Sequence, residues 1–319
     1  DAALLMQTIG NSAGAISACS TIHINLFGPH AMVKHGTKEQ KDRMIPPLVE
    51  GTHKACFGVT EPDAGLDTTH ISTRAVKQGS NYIVHGQKVW TSTAQNADKI
   101  LLLTRTTPIE DCKKPTDGMT LFYTDVDRDK INITPIDKMG RNAVNSNSIF
   151  IDGLVIPEED RIGEEGKGFR YAMAGLDGGR LNISACSLGA AQAALDATLA
   201  YMAERQAFGQ SIDRFQALQF RLADMEIELQ AARTFLRQAA WKLDQGSPDA
   251  TKYCAMAKKF VTETGSHVVN QCLQLHGGYG YLADYGIEKL VRDLRVHEIL
   301  EGTNEIMRLI VARQMLADQ

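Results

Sequence analysis

Charge of one dominant sign is missing from this chain: 34 Lys and Arg stand against 38 Asp and Glu, for a net charge of -4. That balance gives no electrostatic case for binding nucleic acid or an anionic membrane surface. No apolar run approaches the length needed to span a bilayer. None of the six cysteines (Cys19, Cys56, Cys112, Cys186, Cys254, Cys272) forms a Cys-x-x-Cys pair. In a chain of this length they read as reduced core or surface thiols. His23, His30, His35 and His53 lack metal-ligand spacing, so they read as core or surface histidines and no metal is expected. The start, Asp1-Ala-Ala-Leu-Leu-Met6, has neither an initiator Met nor a basic, Ser-rich transit character. It enters directly into helical pattern. Cytoplasm for a bacterial source and mitochondrial matrix for a eukaryotic one both fit.

At 319 residues the chain exceeds one small core, and two or three structural units are expected. A hydrophobic content of 43% with 23% charged residues is that of a soluble globular protein. Residues 1–54 read as helices. The Ala-, Ser- and Gly-rich residues 10–20 permit close helix packing, and Gly36-Thr37-Lys38-Glu39-Gln40 predicts a turn into a capped helix that ends near Gly51. From Cys56 the period changes to short β-type runs: Cys56–Thr60, Tyr82–Val84, Ile100–Thr104, Met119–Tyr123, Ile131–Ile133 and Ile149–Ile151. Crowded strands without intervening amphipathic helices predict an antiparallel sandwich or barrel over about 55–165. Beyond Gly166 the helical period returns. Leu218, Leu222, Met225, Leu229, Ala232, Leu236, Ala240 and Leu243 make one apolar seam, with similar seams over 168–204 and 250–275. Long helices with short links predict an antiparallel bundle.

Near the C-terminus a helical run carrying Leu290, Leu294 and Ile299 ends at Glu301-Gly302, and a second helix with Ile306, Leu309 and Ile310 on one face starts at Thr303 or Asn304. Gly302 can take the backbone geometry of such a break, and Thr303 or Asn304 can cap the new helix. A buried carboxylate against Ile299 and Leu300 would have a raised pKa, as suits a base for a weakly acidic carbon. A solvated loop glutamate is the other reading of the same residues. Four more segments carry unusual chemistry: Phe57-Gly-Val-Thr60-Glu61-Pro62-Asp-Ala-Gly65-Leu66-Asp67, Gly86-Gln87-Lys88-Val89-Trp90-Thr91-Ser92, Glu204-Arg205-Gln206-Ala207-Phe208-Gly209 with Gln216 beyond, and Gln274-Leu-His-Gly277-Gly278-Tyr-Gly280. Taken singly, the tryptophan reads as structural and the glycine-rich turn as a plain helix C-cap.

Taken together and in order, these segments with Glu301-Gly-Thr-Asn-Glu-Ile resemble the acyl-CoA dehydrogenase family. The resemblance implies an α+β fold: a remnant of an N-terminal helical domain over 1–54, a middle β domain over 55–165 and a C-terminal four-helix bundle over 166–319. Against the family the leading helices are absent, and the chain is read as a fragment, folded but inactive in one alternative. The implied cofactor is FAD. Main chain and hydroxyl at Val59 and Thr60, with Phe57 beside them, would meet the isoalloxazine, Trp90 would lie against it, and Ser92 would sit near N5. Arg205 with Phe208 and Gln216 would reach a neighbouring subunit's flavin, where a guanidinium suits a pyrophosphate. Gln274 and Gly278 form the complementary turn, and Thr303 and Glu305 add contacts next to the base. A homotetramer, a dimer of dimers, is implied, with electron-transferring flavoprotein as acceptor.

In the resemblance Glu301 removes the pro-R α-proton of an acyl-CoA thioester, while a hydride leaves the β-carbon for flavin N5. A minority of the family carries its base just before the arginine of Leu176-Asp177-Gly178-Gly179-Arg180; here that position is Gly179, so the base is Glu301. Asp177 and Arg180 would hold the CoA moiety, and Gly302 and Leu66 would line the substrate. Leu66 and Val144 stand where the family commonly has serine, and Phe57 where it often has tyrosine. The C-terminal half is most similar to isobutyryl-CoA dehydrogenases, the middle to bacterial fatty acyl-CoA dehydrogenases, so a short or short branched acyl chain is expected. An acyl-CoA oxidase, passing electrons to oxygen, is the rival.

Overall fold

The computed structural model describes residues 1–317. Its Cα packing forms two compact units, one of Asp1–Ser20, Met139–Asn142 and Asp177 onward, the other of Thr21–Lys138 and Ala143–Leu176. The four helices of the first fifty residues are α1 (Ala2–Gly10), α2 (Ala15–Phe27), α3 (His30–His35) and α4 (Lys38–Val49). The expected cap at Thr37 is present in full: its hydroxyl accepts from the Gln40 N–H, and the Gln40 side chain accepts from the Thr37 N–H. Such reciprocal bonding satisfies two donors that a helix start leaves open.

In the second unit β1 (Ala55–Gly58), β2 (Arg74–Gln78), β3 (Asn81–Ser92), β4 (Lys99–Arg105), β5 (Met119–Asp125), β6 (Ile131–Pro135), β7 (Ser146–Pro157) and β8 (Arg161–Ile162) form one sheet. Its order is β6-β7-β3-β2-β4-β5-β8, and β1 pairs in parallel with β4. Most pairings are antiparallel, with one parallel step between β2 and β4. β2 and β4 separate β3 from β5, so in a flat sheet those two would lie about 14 Å apart. Yet the rings of Tyr82 on β3 and Phe122 on β5 are 4.9 Å apart. The sheet therefore folds over on itself as a sandwich, and its ends β6 and β8 do not pair into a closed barrel.

β4 is buried on both faces. Ile100 and Leu102 join Tyr82, Val84, Phe122, Ile149 and Ile151 in one core. Leu101 and Leu103 join Leu121 and Tyr123 in a second core with Met32 of α3, Met44 of α4 and Ala172 of α5 (Gly168–Met173). The alternation of side chains along a strand thus divides one continuous apolar run between two cores.

The first unit is helical. It holds α6 (Leu176–Glu204), α7 (Gln216–Asp244), α8 (Ala250–Leu275), α9 (Ile287–Leu294) and α10 (Asn304–Ala317), with a small hairpin of β9 (Gln206–Ala207) and β10 (Gln210–Ser211) between α6 and α7. At 29 residues, α6 is about 43 Å long. It is buried around most of its circumference between Gly179 and Leu195, which marks it as a central element. α1 lies against it through small residues: a Cβ on Gly10 would come within 2.8 Å of the Cys186 carbonyl oxygen, and one on Gly189 would strike α1 at Gln7 and Gly10. The close packing expected of residues 10–20 is made here, by Gly10. No described helix is long and apolar enough to cross a membrane.

Candidate active site

In the β unit the Val59-Thr60 edge and the Trp90 strand are joined. The Val89 N–H donates to the Thr60 carbonyl at 2.9 Å. Lys88, with no exposed surface, donates from Nζ to the Val59 carbonyl at 3.0 Å and to Glu61 Oε1 at 2.8 Å. Glu61 also accepts from the Ser72 N–H and hydroxyl and from the Thr73 N–H. Burial pushes the Glu61 carboxyl up, but the charge and hydrogen bond of Lys88, with Thr73 and Ser72, outweigh it and hold it below the usual carboxylate range. For Lys88 burial dominates over the attraction of Glu61 and brings the ammonium down to about 8.

Trp90 faces outward because the strand carries a fault. Tyr82, Val84 and Lys88 share the inward side of β3, and simple alternation would put Trp90 there too. The pairing with β7 slips between Lys88 and Thr91, Trp90 takes φ 61°, and Thr91 is buried in its place. A bulge re-aims a side chain in this way. Trp90 is left 61% exposed, with half-buried Ser92 two residues on. Phe57 is half-buried against Phe27, ring centroids 4.9 Å apart. Leu66 is exposed and Val144 buried. An open indole face beside a rigid edge of main-chain groups and hydroxyls fits a planar, hydrogen-bonding ring system such as a flavin.

In the helical unit Glu301 follows a 3-10 turn, Arg295–Glu298, and precedes α10. Glu301 at φ 55° and Gly302 at φ 93° form two successive left-handed residues. A side chain in that region costs roughly 1–2 kcal/mol, so the turn must be held from outside. Arg180, buried at the start of α6, donates from Nε to the Glu301 carbonyl at 3.4 Å and from Nη1 to Asp177 at 3.0 Å. Asp177 also accepts from the Thr251 hydroxyl at 2.6 Å. Lys258 of α8 donates from Nζ to the Gly302 carbonyl at 2.9 Å.

Thr303 is the cap of α10, its hydroxyl accepting from the Ile306 N–H at 3.4 Å. Asn304 instead points inward to Lys258. Glu305 is exposed and held low by its own main chain and the Thr303 hydroxyl. The apolar wall expected beside Glu301 is incomplete, since Ile299 is itself half exposed. The groups that feel the charge of the half-buried Glu301 include two cations, the half-buried Arg141 and the buried Lys258.

Arg205 and the glycine-rich turn meet on one chain. The turn after α8 carries Gly277 at φ 58°, and its Tyr279 ring lies 5.2 Å under the Arg205 guanidinium. Gln274 and Gly278 are exposed beside it, and Gln216 opens α7 in solvent. At the tip of the β9–β10 hairpin Phe208 and Gly209 both have positive φ, as a two-residue turn requires. Phe208 is 97% exposed there.

Lys88, Glu61, Lys258, Asn304 in its inward role and Arg141 escape the sequence reading. Two of them left a signal. Lys88 falls in phase with Tyr82 and Val84, and Lys258 in phase with Cys254, Val261 and Gly265 on an apolar helix face.

Family models agree with this arrangement along the chain. The N-terminal, middle and C-terminal domains of acyl-CoA dehydrogenase match residues 1–52, 56–154 and 166–316. A probable acyl-CoA dehydrogenase, YngJ of Bacillus subtilis, is 39% identical over 98% of this chain and 82% of its own. The mitochondrial isobutyryl-CoA dehydrogenase of Dictyostelium discoideum is 37% identical over 100% of this chain and 75% of its own. The solved butyryl-CoA dehydrogenase of Megasphaera elsdenii superposes with a TM-score of 0.92 at 32% identity, covering 98% of this chain and 81% of that one. The chain belongs to the acyl-CoA dehydrogenase family, FAD-containing oxidoreductases that dehydrogenate acyl-CoA.

Proposed function

We propose that this chain converts a short or short branched acyl-CoA to the trans-2-enoyl-CoA, with Glu301 as the base. The observation that carries the assignment is the Glu301 turn. A carboxylate on a left-handed residue, gripped through its own carbonyl by Arg180 and through the next by Lys258, is held in place before substrate arrives. Glu301 takes the α-proton. Its main-chain N–H donates to the thioester oxygen, lowering the cost of the enolate-like charge that develops there. FAD, when bound, supplies the acceptor for the hydride leaving the β-carbon. Val59, Thr60, Trp90 and Ser92 would hold its ring, with Phe57 behind them. Thr303 and Glu305 would add contacts beside the base, and Arg205, Phe208, Gln216, Gln274 and Gly278 would serve the pyrophosphate and adenosine end. Asp177 and Arg180 would hold the CoA moiety, with Leu66 and Gly302 along the acyl chain.

Isobutyryl-CoA and butyryl-CoA enzymes among the relatives support a short chain. The exposed Phe208, Phe220, Ile227 and Trp241 support assembly as a dimer of dimers, because large apolar residues on a helix and a hairpin call for a covering surface. Electron-transferring flavoprotein is the proposed acceptor. The test is anaerobic titration of the flavin with isobutyryl-, butyryl- and octanoyl-CoA, for the wild type and Glu301→Gln. The variant is expected to bind FAD and ligand while losing turnover by about three orders of magnitude or more. Flavin bleaching at the wild-type rate would remove Glu301 from the mechanism, and oxygen uptake without another acceptor would make the enzyme an oxidase.

A further inference from the structure

Lys258 sits on the buried face of α8 with no exposed surface. Packing alone would be served there by Leu or Met, which carry no desolvation cost. The ammonium spends two of its three protons on groups that flank Thr303: the Gly302 carbonyl and Asn304 Oδ1, each at 2.9 Å. Asn304, 2% exposed, is fixed in turn by Thr262 at 3.2 Å and Glu263 at 3.3 Å. The chain between these anchors and Arg180 is the left-handed pair Glu301-Gly302.

We propose that Lys258 is a positioning residue for Glu301, clamping the Gly302 carbonyl and the Asn304 side chain so that the strained turn presents its carboxylate and main-chain N–H in one direction. The inference rests on the assignment of Glu301 as the base. Without the clamp the turn can relax toward a right-handed backbone, which swings the carboxylate away while leaving CoA and flavin contacts elsewhere intact. The charges facing Lys258 are Glu301 itself, Arg180 of α6, Glu298 of the 3-10 turn and Glu305 of α10. Burial lowers the ammonium most, Glu301 raises it, Arg180 lowers it further and the other two glutamates raise it, leaving it at about 8. The clamp is therefore cationic at neutral pH and loses its charge as pH rises through that value.

Lys258→Met, Lys258→Arg and Glu301→Gln are compared in the FAD-loaded full chain with butyryl-CoA. Lys258→Met is expected to lower kcat at least about tenfold while KM moves less than about threefold, and Lys258→Arg to recover much of the loss. The wild type is expected to lose kcat as pH rises through about 8, and that fall should vanish in Lys258→Met. In the apoprotein, hydrogen exchange of the 301–304 amides should quicken in Lys258→Met, with α6 and the body of α8 unchanged. Wild-type kcat and exchange in that variant overturn the inference, as does an equal loss in the Met and Arg variants with unaltered exchange at 301–304. If Lys258→Met does not fold, Asn304→Ala removes one arm of the clamp and is expected to show a smaller loss of the same kind; wild-type kcat there overturns it. Turnover surviving in Glu301→Gln would refute the base itself, whereas loss in Glu301→Gln beside normal Lys258→Met would refute only the clamp.

Discussion

Replacing Lys88 by Met tests the reasoning about the proposed flavin edge at Val59-Thr60 most directly. Lys88 has no exposed surface and Glu61 only 4%, so the substitution leaves a carboxylate buried without its cation. Removing one partner of a buried pair costs about 3–5 kcal/mol. The lower half of that range applies here, because Glu61 keeps the bonds from Ser72 and Thr73. With Trp241 replaced by Phe, Trp90 is the one remaining tryptophan and reports urea unfolding of the β unit alone. The pH dependence carries the sign. In the wild type Glu61 lies below its unfolded value of about 4.3, so its stabilisation is full above that pH and is lost as pH falls through the folded value. In Lys88→Met burial remains while the main opposing charge is gone, and the folded value rises. The destabilisation should then be largest at neutral pH and shrink on acidification as the buried carboxyl takes a proton. Adding Glu61→Gln should recover more than half of the loss, and FAD affinity should fall because the Val59 carbonyl is released. A cost under about 1 kcal/mol at pH 7, or one that does not change between pH 7 and 4, would refute the account.

Trp90→Ala should weaken FAD binding at least about tenfold, an aromatic stacking contact being worth roughly 0.5–1.5 kcal/mol in addition to the apolar area it buries, with little change in the stability of the apoprotein; equilibrium dialysis and thermal melts separate the two. Gly302→Ala should cost roughly 1–2 kcal/mol and lower kcat, because φ 93° suits glycine and the added Cβ would lie 2.7 Å from Met307 Cε; denaturation and steady-state rates check it. Gly189→Leu should destabilise the helical unit by about 3 kcal/mol or more by forcing α1 off α6, read as a fall in melting temperature.

Local chemistry made part of this legible in the sequence. The capped helix of Thr37 and Gln40 needs only neighbours in sequence, whereas the break at Glu301-Gly302 is marked locally by its glycine but held by Arg180 and Lys258 from far along the chain. The strand runs of β4 and β5 stood out because both faces are apolar. β2 did not, since Arg74, Lys77 and Gln78 face solvent and only Ala75 faces the core. Sheet order, with β2 and β4 inserted between β3 and β5, depends on pairings far apart in sequence and leaves no local mark. The outward turn of Trp90 is a bulge set by β7, so its motif gave the residue and not the reason for its exposure. The buried cations behind the Val59-Thr60 edge and behind the Glu301 turn read as surface residues because lysine usually is one; Lys88 and Lys258 betray themselves only by standing in phase with apolar neighbours.

The left-handed backbone at Glu301 separates two properties that are usually selected together. Glycine and asparagine enter that region of conformational space readily, whereas valine and isoleucine resist it. A saturation library at this one codon would therefore rank by yield of folded protein in an order set by backbone tolerance and, with Glu301 as the proposed base, by turnover in an order set by acid-base chemistry. The natural residue is a compromise between those rankings, and inherited variation there would divide into substitutions that silence a well-folded enzyme and substitutions that remove the protein altogether.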